Sequence, residues 1–531
     1  MADYTTYIQD VANRSDELRK TLVEPFRVED GSFMVPKTKA EAEERNRILE
    51  SAAQNSIFEM AGKSAPMIAS VCSRALQGYE MRHKRQPSRD LLASAHKAIE
   101  NLLLLTNNKV KGPGVFEGVE MSTTAGIQMR DRLVSLVLPV YLTMITSNMV
   151  TYIPGDFNQS EFFRIKRQAG SNFGDLKKGD VIDYNYQGIY SQMAQTASLG
   201  TGDGSTTSYS FDSNTTYSTV YPLKPKRIVV YMDQEAIGHD NGEGALMGAG
   251  NVNGVAYTVG GTVTYVEGKV SVSITPAPPA DAELEIDFDV DIEKDPRLIP
   301  TVDHFMQSRV LYPHEAAING NATIQALWAL RRELGQDLDS LTMQTMRNVL
   351  AADKDRKHLH DMYRFCPKEN VTWVHTKAEG ISLTEHYETV KMAVFDVDNV
   401  LMKANGIAGL SGIVAGTRAC NVFRYLNNTY LEVAPGYRFS AQPHYVGRLF
   451  GYIDLFCDPY APDPWSCLCY AKGPDHGQTA YVAGDAVPAL SFTHPIMGDL
   501  VKRATMWELA YHDMQPFDGR QYLCKLTFIE E

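Results

Sequence analysis

The stretch from Tyr445 to Leu490 reads YVGRLFGYIDLFCDPYAPDPWSCLCYAKGPDHGQTAYVAGDAVPAL. Apolar runs at Leu449–Cys457, Trp465–Ala471 and Thr479–Ala483 alternate with the clusters DPYAPDP and KGPDHGQ. Pro fixes φ, Gly supplies positive φ and Asp bonds its own backbone, so each cluster presets a turn. The alternation predicts a β-meander. No catalytic constellation sits on it, and the expectation is an element that forms a surface. Cys457, Cys467 and Cys469 fall close together, but zinc needs four ligands at tighter, paired spacing. On strands Cys467 and Cys469 share a face, which suits small buried hydrophobes.

Upstream, Val394–Leu401 reads VFDVDNVL. It resembles the first motif of the haloacid-dehalogenase phosphatases, in which an Asp nucleophile attacks phosphorus beside Mg²⁺. Periodicity speaks against that reading. Leu383, Tyr387, Val390, Val394, Val397 and Leu401 recur at helical spacing. Both aspartates then lie off the apolar stripe in solvent, and Asn399 stands where the motif carries Gly. Asp287, Asp289, Asp291 and Glu293 alternate with Phe288, Val290 and Ile292. Ile292 and Leu298 occupy the EF-hand Gly and Glu positions, so the acids read as the wet face of a strand. Gly248–Gly254 lacks phosphate-loop spacing. His358-Leu359-His360 is a lone pair at a charged helix end. No catalytic residue, metal site or cofactor is expected.

The chain has 531 residues, 44% hydrophobic and 22% charged, which supports several packed domains. A net charge of −13 argues against a surface given over to nucleic acid. Seven cysteines are too sparse for a disulfide scaffold. The N-terminus has no apolar signal region. Leu133–Gly155 carries no charge and approaches membrane-spanning length, but two prolines, an asparagine and several hydroxyls favour a buried helix followed by a strand.

Residues 1–110 read as helical, with helices at Ala40–Leu49, Ser51–Tyr79 and Leu91–Leu105 and Ser88 as an N-cap. The basic run Arg82–Arg89 reads as a solvated face, with an internal polyanion or a scaffold protein as the alternative contact. Lys109–Gly126 is Gly-rich and extended. In Asp156–Gln195, Glu161–Arg167 and Val181–Ile189 predict a long polar hairpin that needs a neighbour to lie on. Residues 197–292 form a β-rich block. Its predicted strands are Tyr217–Tyr221, Arg227–Met232, Val255–Val259, Thr262–Val266, Lys269–Thr275 and Glu283–Ile292, with a hairpin at Glu267-Gly268. Helical pattern returns at about His314, breaks at Gly335 and Asp337, and continues as a long amphipathic helix to Lys357. A further helix spans Ser382–Ala404, and a last strand Tyr522–Ile529.

This order of parts resembles the major capsid proteins of tailed bacteriophages with the Hong Kong 97 fold, above all those of large contractile-tailed phages. The segments that carry it are Gly451–Tyr460, Cys469–Asp475, Ala480–Ala489, Ala404–Gly406, Gly416–Phe423 (GTRACNVF) and Leu330–Leu350. The likeness spans residues 111–196 and 293–531. Gly200–Tyr209, Pro222–Pro225, Gly261–Ile274 and Pro276–Ala280 are similar to a β-module of phage structural proteins.

The resemblance implies an α+β fold with the following parts. Residues 1–110 are a helical segment, either scaffold or permanent inner layer. An N-terminal arm and first core helix occupy 111–155, and an extended loop 156–196. An inserted β-sandwich or barrel occupies 197–292. A peripheral domain with a spine helix spans 293–380, an axial domain 381–490, and 491–531 return to the periphery. It implies a non-enzymatic virion protein assembled in the host cytoplasm into hexamers and pentamers of an icosahedral head. The head encloses double-stranded DNA without sequence specificity. Portal, scaffold, head-completion and decoration proteins are the implied partners, and no membrane. Lys166, Arg167, Lys177 and Lys178 are the candidate intersubunit contacts. A tail or baseplate protein with the same β-module, or remotely a phosphatase, is the alternative.

Overall fold

The structure is a computed structural model that describes the chain except residues 1, 28–32, 34–37, 55, 107–123, 183–187, 330–331, 334–337, 368–369, 378, 495–500 and 531. The expected N-terminal arm, Gly335 and Asp337 therefore lie outside the described residues, or largely so for the arm. Four helices open the chain: α1 (Ala2–Leu22), α2 (Lys39–Ala53), α3 (Ala65–His83) and α4 (Arg89–Thr106). Thr38 starts α2 with a capping box, its hydroxyl accepting from the Glu41 N–H at 3.3 Å while the Glu41 carboxylate accepts from the Thr38 N–H. The uncharged stretch forms α5 (Thr124–Thr143) and the buried strand β1 (Val150–Tyr152). No helix among the described residues is long and apolar enough to cross a membrane. Then come β2 (Ser160–Ala169), β3 (Ala194–Thr201), β4 (Ser208–Asp212), α6 (Ser213–Tyr217), β5 (Val229–Met232), β6 (Glu235–Asp240), β7 (Ala245–Val252), β8 (Val255–Thr264), β9 (Lys269–Thr275) and β10 (Glu283–Asp289). The second half holds β11 (Val302–Leu311), β12 (His314–Thr323), α7 (Ile324–Ala329), α8 (Leu338–Phe365), β13 (Asn370–Val374), α9 (Leu383–Glu388) and α10 (Val390–Asn405). It continues with β14 (Leu410–Gly416), α11 (Thr417–Tyr425), β15 (Leu431–Val433), β16 (His444–Leu449), β17 (Ile453–Asp458), β18 (Ser466–Ala471), β19 (Tyr481–Thr493), β20 (Val501–Met514) and β21 (Leu523–Ile529).

The chain divides into two compact units, 164–307 and the remainder. The 164–307 unit is built on one eight-stranded sheet in the order β3-β10-β5-β6-β7-β8-β9-β4. β9 alternates outward Lys269, Ser271 and Ser273 with buried Val270, Val272 and Ile274. That period of two seals one face against the other. β10 buries Leu284, Ile286 and Phe288 between its acids. The hairpin at Glu267-Gly268 joins β8 to β9 as its sequence predicts. Three details differ from expectation. Tyr217–Tyr221 is the end of α6 and a turn, its two rings stacked at 5.0 Å. The two strands expected at Val255–Val259 and Thr262–Val266 are the single strand β8. Gly248 and Gly250 lie in β7, where a Cβ would meet the Ile237 carbonyl at 2.5 Å and the Ile237 side chain at 2.8 Å. Glycine is needed there for close backbone approach.

The other unit holds two sheets. One is four-stranded, β1-β19-β20-β12; the other is seven-stranded, β13-β21-β18-β14-β17-β16-β15. The meander expected at Tyr445–Leu490 is not formed. β14 inserts between β17 and β18, parallel to the first and antiparallel to the second, and β19 joins the other sheet. β17 and β18 are buried at all six positions each, so these strands are core with both faces covered rather than a surface. The residues expected to begin a helix at His314 instead form β12, paired with β20 along ten residues. The first four helices share one apolar core with the seven-stranded sheet: Leu18, Leu49, Ile68 and Leu102 lie in the same cluster as Ile413, Leu455 and Leu468.

The chain leaves this unit after Phe163 and returns at Ser308, and the strands around those points, β2 and β11, pair as a two-stranded ribbon. Of the expected hairpin of Glu161–Arg167 with Val181–Ile189 the described residues keep the turn end, where the Ile182 N–H donates to the Arg167 carbonyl at 2.8 Å, while β2 takes β11 as its strand partner. The loop folds back tightly after β2: the Ala169 N–H donates to the Asp180 carbonyl and the Gly179 N–H to that of Ala169, both at 2.8 Å. Val181 keeps a single bridge to Gln168, and residues 183–187 lie outside the described residues.

Candidate functional site

The ribbon leaves several apolar side chains exposed. Ile165, Val302, Phe305 and Met306 are 37%, 49%, 48% and 44% exposed. Phe305 and Met306 are consecutive, so they stand on opposite faces of the strand. Lys166 and Arg167 lie on β2, the first half-buried and the second exposed. Lys177 and Lys178 lie in the turn that follows, where the Lys177 N–H donates to Asp180 Oδ2 at 2.8 Å and the Lys178 N–H to Asn172 Oδ1 at 2.7 Å. Their backbone is pinned and their side chains are exposed. The four predicted contact residues thus form two pairs, one on the strand and one on the turn.

The phosphatase-like stretch lies on α10, whose buried residues Val390, Ala393, Val394, Val397 and Leu401 form the stripe its spacing predicts. Asp396 is exposed. Asp398 departs from expectation: it is half-buried, and its Oδ1 accepts from the Leu410 N–H at 2.6 Å, which fixes the passage from α10 into β14. Cys457, Cys467 and Cys469 are buried free thiols, and burial pushes the Cys467 and Cys469 thiols up. Among the described residues no group of three or more His, Cys, Asp or Glu side chains is placed to hold a metal ion.

Arg82, Lys84, Arg85 and Arg89 of the basic run are exposed, as expected of a solvated face, but the run also makes specific pairs. Arg85 pairs with Asp454, which is wholly buried and also reached by Arg448 Nε at 3.6 Å. Lys84 pairs with Glu432. His83 lies between the rings of Tyr79 and Tyr445, at 4.4 and 4.5 Å. Burial, reinforced by Arg85, Arg82 and Arg448, brings its pKa down to about 3. The run fastens the N-terminal helices to the edge of the seven-stranded sheet.

A second polar feature lies beneath α8. Met346, Leu350, Lys354, His358 and Met362 recur every four residues along its buried face. Lys354 Nζ is 2.9 Å from Asp485 Oδ1 and 3.0 Å from Glu508 Oε2. Burial alone would lower the Lys354 pKa, but the two carboxylates outweigh it and raise it, so the ammonium stays charged. Burial holds His358 well below its usual range and brings His512 down to about 4, leaving two neutral rings joined at 2.8 Å. Asp355 accepts from the Thr146 hydroxyl at 2.7 Å and from the Ile145 and Thr146 N–H groups, while burial pushes its pKa up to about 6. Tyr481 donates to Asp361 at 2.9 Å. This seam was missed in the sequence, although charged residues at four-residue spacing on an apolar helix face were its signal.

Residues 1–144 match the model of a family described as a domain of unknown function, DUF8615. Protein IncB of Escherichia coli is 28% identical over 180 residues, which cover 33% of this chain and 85% of that protein. Solved structures similar to the chain include phage capsids. The capsid of Myoviridae phage XM1 is 10% identical with a TM-score of 0.31, covering 43% of this chain and 78% of that one. The capsid of jumbo bacteriophage PhiKZ is 8% identical with a TM-score of 0.34, covering 72% and 92%. An encapsulin complex from Synechococcus elongatus is 10% identical with a TM-score of 0.28, covering 43% and 78%. Likenesses this loose assign no role to any residue.

Proposed function

We propose that the chain is the major capsid subunit of a tailed phage, a non-enzymatic protein built on a Hong Kong 97-type fold. It assembles as hexamers and pentamers of an icosahedral head around double-stranded DNA. In this reading α8 is the spine helix on the peripheral sheet, the seven-stranded sheet with α10 and α11 is the axial domain, and the β2–β11 ribbon is the extended loop. The β-rich insertion belongs to the tip of that loop and not to the segment after it. Residues 1–110 are a permanent inner layer, since they share the main core. Portal, scaffold, head-completion and decoration proteins are its expected partners in the virion.

The observation that carries the reading is the ribbon. Two strands alone are marginal in water. This pair leaves Phe305 and Met306 exposed on opposite faces, and apolar patches of that kind mark interaction sites. A neighbouring subunit is the cover that a shell supplies. Lys166, Arg167, Lys177 and Lys178 are proposed to pair with carboxylates of that neighbour. Sedimentation of the double variant Phe305→Asp/Met306→Asp tests this. Loss of large assemblies with an unchanged melting curve is expected; assemblies that persist would refute the ribbon's role.

A further inference from the structure

A cavity of about 600 Å³ lies among α1, the turn between α3 and α4, β1 and the loop after β18. Its size falls within the range of small-ligand sites, about 300–1,000 Å³. Four cations line it: Arg19, Arg85, Arg89 and Lys472. Two of them are committed elsewhere. Arg85 pairs with Asp454, and Lys472 Nζ donates to the Val150 carbonyl at 3.0 Å and lies 3.7 Å from Asp90. The acids on the wall are committed too: Asp90 accepts from the Tyr152 N–H at 2.9 Å, and Asp475 from Gln478 Nε2 at 3.3 Å.

What remains is an excess of donors. Arg19 Nε, Asn148 Nδ2 and His476 Nδ1 are buried on this wall without a hydrogen-bond partner among the described residues. A buried donor left unmade is costly, so these three side chains of lining residues gain a partner if they turn to an acceptor held in the cavity. Burial, and then repulsion from Arg89, hold the Arg19 guanidinium below its ordinary range, with Asp16 and Glu24 offsetting only part of this. Burial brings His476 down to about 4, so its ring is neutral near pH 7 and can donate through Nδ1 while Nε2 faces the Tyr7 hydroxyl at 3.1 Å. Ser88, Arg89 and Asp90 bring the start of the 18-residue α4 to the same wall, where helix polarity favours negative charge.

We propose that this cavity binds a phosphate group, either free phosphate or the phosphate of a small ester, through Arg19, Arg89, Asn148 Nδ2 and His476 Nδ1. Guanidinium forks match phosphate oxygens in geometry and charge. The site does not depend on the capsid reading.

The test is calorimetric titration of the full chain, in a chloride buffer, with inorganic phosphate and with thymidine 5′-monophosphate. Saturable binding of one ligand per chain is expected, weakened by about tenfold or more in Arg19→Gln and in Arg89→Gln. Tighter binding of the nucleotide assigns the site to a phosphate ester, and tighter binding of phosphate to the free ion. Arg89 lies at the exposed rim, so its variant decides the matter if Arg19→Gln fails to fold. No saturable heat with either probe at millimolar concentration, or equal affinity in the folded variants, overturns the proposal.

Discussion

Lys354 concentrates the residue-scale chemistry of the fold. It is a buried cation between two buried carboxylates, Asp485 and Glu508. Removing one member of such a group strands the others, at a cost of about 3–5 kcal/mol. Lys354→Met should therefore lower unfolding free energy by about that much in urea titration, whereas Arg356→Met, exposed on the same helix, should change it by less than about 0.5 kcal/mol. The histidines set a pH dependence. His512 is held at about 4, below the value of about 6.5 it takes when unfolded. The unfolded state then binds more protons between those values. The contribution of the neutral ring is fully present above about pH 6.5 and is lost as pH falls toward 4, with a slope approaching about 1.4 kcal/mol per unit. Thermal melts from pH 7 to 4 should fall, since the depressed His83, His358 and His476 act in the same direction and the raised Asp355 opposes them, and His512→Gln should reduce the slope. An unchanged slope in His512→Gln would remove the neutral pair from the account.

At the scale of elements, what could be read from the sequence was whatever depends on local pattern. The stripe of α10 follows from spacings of four and three between Val390 and Leu401, and β9 from strict alternation of Val270, Val272 and Ile274 with polar residues. The helix–strand passage of the uncharged stretch was expected from its composition, but Pro139 lies inside α5 and does not end it. What failed depends on a distant partner. His314–Thr323 became β12 because β20, nearly two hundred residues later, supplies its ladder. The turn chemistry of Tyr445–Leu490 is the same whether the next strand pairs or skips, so the insertion of β14 left no local mark. β2 took β11 as its partner across the whole β-rich insertion. The buried charges under α8 were missed, because Lys354 meets its partners Asp485 and Glu508 only through β19 and β20, more than a hundred residues later. One prediction belongs here. Gly250→Val should force β7 away from Ile237 and destabilise the 164–307 unit by about 1–3 kcal/mol, read by urea unfolding of the full chain. Unchanged stability would mean that the close approach is not required.

At the scale of the molecule, three structural facts bear on assembly. The N-terminal helices share the main core, the ribbon leaves apolar residues uncovered, and the candidate basic residues stand beside it on β2 and the following turn. Each is accounted for if the chain is completed by copies of itself. Electron microscopy of the expressed full-length protein tests that claim most directly. The account predicts closed shells of icosahedral symmetry, whereas protein that remains monomeric, or forms only tubes or rings, would contradict it.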